Sequence, residues 1–95
     1  APGYRRPVLV VQSNAFNRSR LATVTVVALT ANLRLVDAPG NVLVRARVSR
    51  LPRDSVANVS QVVTIDRARL TERVQRLPAR VLTQVDEGLR LALAL

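Results

Sequence analysis

The chain contains no cysteine and no histidine. Disulfides, thiolate ligands and imidazole ligands are thereby excluded, and with them a zinc site and any acid–base pair built on histidine. The lack of cysteine fits a reducing cytoplasm, which is the expected compartment. Aromatic residues make up 2% of the chain, as Tyr4 and Phe16 alone. That is too few for the modules that hold single strands by stacking bases on several exposed rings. Carboxylates are scarce and scattered: Asp37, Asp54, Asp66, Glu72, Asp86 and Glu87, only the last two adjacent. A two-metal carboxylate site needs them clustered, so neither a metal nor another cofactor is expected. No stretch of about 18 uncharged apolar residues occurs, which excludes a membrane-spanning helix and leaves no membrane partner in view.

What is present is 95 residues with 48% apolar content, enough for one core, so residues 1–95 are read as a single domain. All 15 basic residues are arginine, and the net charge is +9. A GC-rich genome explains arginine in place of lysine but not the excess of base over acid. The guanidinium fork suits phosphate oxygens, so nucleic acid is favoured over an acidic protein groove. With so few rings, binding must rest on charge and hydrogen bonds.

Pro7 to Gln12 reads as a buried strand, followed by a polar loop from Ser13 to Arg20. Leu21 to Thr30 is rich in β-branched residues and reads as a second strand, joined to the first as an antiparallel hairpin. "DAPGN", from Asp37 to Asn41, is a turn signal. "VLVRARV" alternates, with Val42, Val44, Ala46 and Val48 on one face and Leu43, Arg45 and Arg47 on an exposed one. Ser55 to Asp66 is strand-like, but Gln61 breaks the apolar phase, so a bulge or a satisfying partner is expected there. Asp66 can cap a helical turn over Arg67 to Leu70, and "ERVQRL" reads as a last short strand. From Pro78 onward, Val81, Leu82, Val85, Leu89, Ala92 and Leu93 recur at helical spacing, which predicts a carboxy-terminal amphipathic helix.

"RRPVLVVQSNAFNRS", "VVALTANLR", "LPRDSVANVSQVVTID" and "VDEGLRLAL", in this order and spacing, together resemble the MazF/PemK toxins of toxin–antitoxin modules. The resemblance implies a mainly β fold with a carboxy-terminal helix, a small SH3-like barrel of the PemK/CcdB type. It also implies a homodimer, single-stranded RNA as substrate, metal-independent endoribonuclease activity, and a MazE-like antitoxin segment occupying the RNA groove. By the same resemblance Arg6, just before the proline that starts the first strand, and Thr30, closing the second, would be the catalytic pair. Hairpin geometry agrees, since the start of one strand and the end of the next lie at the same end. A guanidinium fork can stabilise charge on phosphate oxygens while a ribose 2′-hydroxyl attacks phosphorus, and a threonine hydroxyl can assist. The residues identify no general base. Products would be a 2′,3′-cyclic phosphate and a 5′-hydroxyl.

For base reading the polar positions at strand ends stand out: Gln12, Ser13, Asn14, Asn32, Arg34, Ser60 and Gln61. Each one taken singly is more often just a loop-capping residue. Arg18 and Arg20 read as phosphate contacts or as solvated loop charges. One departure from the family concerns the start, where members carry about 20 further residues with a strand and a "RGDVW"-type loop; this chain begins inside that loop. Two alternatives stay open. One is a gyrase-inhibiting toxin of the same fold, disfavoured because those end on a tryptophan-containing tail and this chain has no tryptophan. The other is a basic RNA-binding domain without catalysis.

Overall fold

The computed structural model describes residues 5–11, 13, 15 and 18–95. Strands β1 (Val8–Val10), β2 (Thr23–Thr30), β3 (Val42–Val44) and β4 (Ser55–Asp66) form an antiparallel sheet in the order β1-β2-β4-β3. Helix α1 (Ala46–Ser49) is a single turn, and helix α2 (Ala79–Leu93) closes the chain. Short 3-10 turns span Leu33–Asp37 and Arg67–Arg69. This is the mainly β arrangement with a carboxy-terminal helix expected from the sequence.

Helix α2 lies on one face of the sheet because its apolar stripe and the odd-numbered side chains of β1 and β2 face one another. Val81 and Val85 pack with Leu77 against Val27, Val42, Val44, Ala57 and Val59, flanked by Leu9, Val11 and Leu29. Each fully buried valine or leucine among them contributes about 1.5–3 kcal/mol relative to exposure. The helix meets the "DAPGN" turn as backbone against backbone: Gly40 takes φ +83, and a Cβ on Gly88 would stand 2.0 Å from the Gly40 carbonyl oxygen. On the other face Val24, Val26 and Val56 are also buried.

The strand over Ser55 to Asp66 and the hairpin before it form where expected. "VLVRARV" does not remain a strand: pairing stops at Val44, and Ala46–Ser49 coil into α1. The cause is Asp54, whose carboxylate accepts from the Ala46 backbone N–H at 2.7 Å and from Arg45 at 3.2 Å. That bond caps a helical turn, so Arg45 and Arg47 do not form a strand face. "ERVQRL" forms no strand either; it runs without regular structure toward α2, with Leu77 as its buried anchor. The turn after Asp66 is present, but its side chain makes no capping bond.

Candidate functional site

Pairing between β1 and β2 sets Val8 opposite Ala28 and Val10 opposite Val26. The backbone N–H of Leu29 donates to the Pro7 carbonyl at 3.2 Å, which carries the ladder one pair further. The register therefore sets Arg6 opposite Thr30. Since Pro7 and Leu29 form a hydrogen-bonded pair, Arg6 and Thr30 occupy a non-hydrogen-bonded one, where Cα atoms stand about 4.5 Å apart and side chains are closest. Leu9, Val27 and Leu29 point toward α2, so alternation sends Arg6, Val8, Ala28 and Thr30 to the opposite face.

Arg5 points the other way and is otherwise engaged. Its guanidinium pairs with Glu72 at 2.7 Å and donates to the Thr71 hydroxyl at 3.4 Å, on the segment that leads into α2. Arg6 is exposed and Thr30 half-buried. The Thr30 hydroxyl oxygen accepts from the Asn32 N–H at 3.1 Å, and Asn32 Oδ1 accepts from the Arg34 N–H at 3.3 Å, capping the Leu33–Asp37 turn. The Thr30 proton remains available to donate. Asn32 and Arg34 thus follow directly on Thr30, both exposed.

The expected bulge in β4 is present. Val27 pairs with Val62 while Ala28 pairs with Asn58, so Val59, Ser60 and Gln61 stand outside the register. Asn58 holds them: its Oδ1 accepts from the Ser60 N–H at 3.3 Å and hydroxyl at 2.7 Å, and its Nδ2 donates to Gln61 Oε1 at 3.2 Å. Asn41 completes the support, accepting from the Val59 N–H at 3.0 Å and donating to the Leu35 carbonyl at 2.8 Å. Asn58 lies opposite Ala28 and so belongs to the face of Arg6 and Thr30. Its partners Ser60 and Gln61 are exposed beside it.

The register thus sets Arg6 opposite Thr30, Asn32 and Arg34 follow Thr30 in the chain, and Ser60 and Gln61 lie in the bulge next to Asn58, opposite Ala28. Ser13 and Arg18, both exposed, belong to the connection at the other end of the hairpin, beyond Thr25, which lies about 17 Å along β2 from Thr30. Gln12 and Asn14 lie outside the described residues. Asn41 and Asn58 were not singled out from the sequence. The signal for Asn58 was "NVS": asparagine is depleted in strand interiors, and its side chain commonly bonds the backbone two residues on.

The site is an open face rather than a cavity. A hollow of about 420 Å3 between β3 and α2, lined by Gly40, Asn41, Val42, Gln84, Glu87 and Leu91, lies at the opposite edge of the sheet and has no cation on its walls. Among the described residues no three carboxylates come together as a metal-binding cluster, and no helix is long and apolar enough to cross a membrane. What the register offers is an arginine and a threonine at facing positions on the same side of the hairpin, with the Asn58–Gln61 amides further along that face.

Known proteins are similar to this chain in sequence and in fold. Over 94 residues the chain is 51% identical to Endoribonuclease MazF6 of Mycobacterium tuberculosis strain H37Rv, across 99% of this chain and 82% of that protein. Over 90 residues it is 39% identical to Endoribonuclease EndoA of Bacillus subtilis strain 168, across 95% and 77%. It superposes with a TM-score of 0.81 on an endoribonuclease in complex with its cognate antitoxin from a mycobacterial species, at 26% identity, covering 100% of this chain and 87% of that one. The superposition agrees with the small PemK-type barrel expected from the sequence. The family model for PemK-like, MazF-like toxins of type II toxin–antitoxin systems matches residues 1–93, and the chain belongs to that family.

Proposed function

We propose that this protein, an endoribonuclease toxin by its family, cleaves single-stranded RNA without a metal ion, at the face where Arg6 stands opposite Thr30. That cross-strand pairing is the observation that carries the reading. A ribose 2′-hydroxyl attacks the adjacent phosphorus, the Arg6 guanidinium holds two phosphate oxygens as charge develops on them, and the Thr30 hydroxyl donates to the same group. The 2′-hydroxyl gives up its proton to solvent as the P–O2′ bond forms, the P–O5′ bond breaks, and the 5′-oxygen of the next nucleotide takes up a proton from solvent. Asn32, Arg34, Ser60 and Gln61 line the path of the bases, and Ser13 and Arg18 hold the strand further along the hairpin; Gln12 and Asn14, outside the described residues, contribute to RNA binding. Residues 1–95 act as one toxin domain.

A solved complex of a related endoribonuclease with its cognate antitoxin supports a MazE-like antitoxin as partner, and the open, arginine-bearing face suits an acidic segment that competes with RNA. The working form is a cytoplasmic homodimer.

The test is incubation of a long RNA with the protein in EDTA, with analysis of the new ends. Cleavage leaving 2′,3′-cyclic phosphates and 5′-hydroxyls is expected, slowed in Thr30→Val. A strict magnesium requirement, or 3′-hydroxyl ends, contradicts the mechanism.

A further inference from the structure

The bulge of β4 decides which end of one exposed amide faces outward. A backbone N–H can only donate, so the Asn58 atom 3.3 Å from the Ser60 N–H is the carbonyl Oδ1. Nδ2 is then the other end of the Asn58 amide. It donates at 3.2 Å, so the Gln61 atom it meets is Oε1. Asn58 is 8% exposed, which leaves its two ends little water with which to exchange these partners. Gln61 is exposed, and among the described residues its Nε2 has no partner. Two N–H groups therefore face outward on the surface that carries Arg6 and Thr30, with Ala28, opposite Asn58, about 7 Å along β2 from Thr30.

We propose that Asn58 is a positioning residue for base selection: it holds Gln61 with its amino end outward, so that one position of the target favours uracil or guanine over cytosine or adenine. Uracil O4 and guanine O6 accept from that amino group. Cytosine N4 and adenine N6 are donors at that same place, so an amide amino group aimed there meets a donor and goes unpaired. One neutral hydrogen bond gained or lost corresponds to a preference of roughly three- to tenfold. The inference rests on the reading of this face as the RNA surface.

Two variants turn the edge around. Asn58→Asp keeps an oxygen for the Ser60 N–H, but its second oxygen draws Gln61 Nε2 inward and Oε1 outward. Gln61→Glu, at an exposed position, keeps one oxygen for Asn58 Nδ2 and presents the other to the base. The measurement is selection from a randomised pool of short 2′-O-methyl RNA, which lacks the attacking hydroxyl, with sequencing of the bound fraction; cut sites in ordinary RNA are sequenced in parallel. Wild type should enrich uracil and guanine at one position, and both variants should reverse the preference there to cytosine and adenine. If Asn58→Asp does not fold, Gln61→Glu alone decides. A pool with no such position in wild type, or a preference that survives Gln61→Glu, overturns the proposal. Absence of cleavage with the selection result intact would contradict the endonuclease mechanism while supporting this inference.

Discussion

Gly88→Ala separates packing from helix propensity because the two act in opposite directions. Alanine is the better helix former by about 1 kcal/mol, so an isolated helix would gain. In this fold the new Cβ would stand 2.0 Å from the Gly40 carbonyl oxygen and 2.9 Å from its carbon. The obstacle is backbone, so no side chain can swing aside. Nor can the turn yield easily, since Gly40 is at φ +83 and the next residue, Asn41, is bonded to Val59 and Leu35. Reaching ordinary contact at 3.4 Å requires α2 to withdraw by about 1.4 Å, which lifts Val81 and Val85 from the core. Overpacking of this kind costs about 1–3 kcal/mol, here at the upper end because only withdrawal of the whole helix relieves the clash. After the propensity gain a net loss of about 2 kcal/mol remains. For a domain of this size that lowers Tm by roughly 8–16 °C. Thermal and urea unfolding measure it directly. A variant as stable as wild type, or more stable, would refute the close docking of α2 on the turn.

Glu72→Ala removes the Arg5 ion pair, but both side chains are more than 60% exposed, so at most about 1 kcal/mol should be lost in unfolding assays. The Asp54 carboxyl is held below its usual 3.8 chiefly by the Ala46 N–H; burial opposes this, and the Arg45 hydrogen bond and the Arg45 and Arg47 charges add to the lowering. Because the folded value is depressed, its stabilisation is present above pH 3.8 and fades as pH falls through the folded value. Asp54→Asn should therefore be less stable than wild type at neutral pH and converge with it in acid, as melts across that range will show. Affinity for RNA should fall steeply with salt as arginines displace condensed counterions; a flat response over 50–200 mM would exclude a binding face built on charge.

Most elements were legible because their signals are local. β-branched runs marked β2 and β4, "DAPGN" marked the turn at Gly40, and helical spacing marked α2. The missed break after Val44 came from a residue well ahead in the chain. The alternation through Val48 is a sound strand pattern until Asp54 captures the Ala46 N–H, and no local pattern announces that bond. "ERVQRL" does not alternate, since Val74 and Leu77 are three apart, and the sheet gives it no neighbour; an unpaired strand has no ladder to stabilise it. Of the candidate site, the facing of Arg6 and Thr30 followed from hairpin logic, and the bulge at Gln61 followed from its broken phase. Asn41 and Asn58 escaped notice because their role lies in bonds to a backbone geometry that exists only once the bulge has formed.

Arg5 and Arg6 are neighbours in the chain with opposite surroundings. Alternation sends Arg5 toward Glu72 on the α2 side and Arg6 toward Thr30 on the opposite face. Single-turnover cleavage of one RNA in EDTA should therefore be slowed by a factor on the order of 10² to 10³ in Arg6→Ala, as for loss of a preorganised donor to a developing oxyanion. Arg5→Ala should stay within about threefold of wild type, since it loses only an exposed ion pair. Equal losses in the two variants, or a larger one in Arg5→Ala, would contradict the placement of the active face.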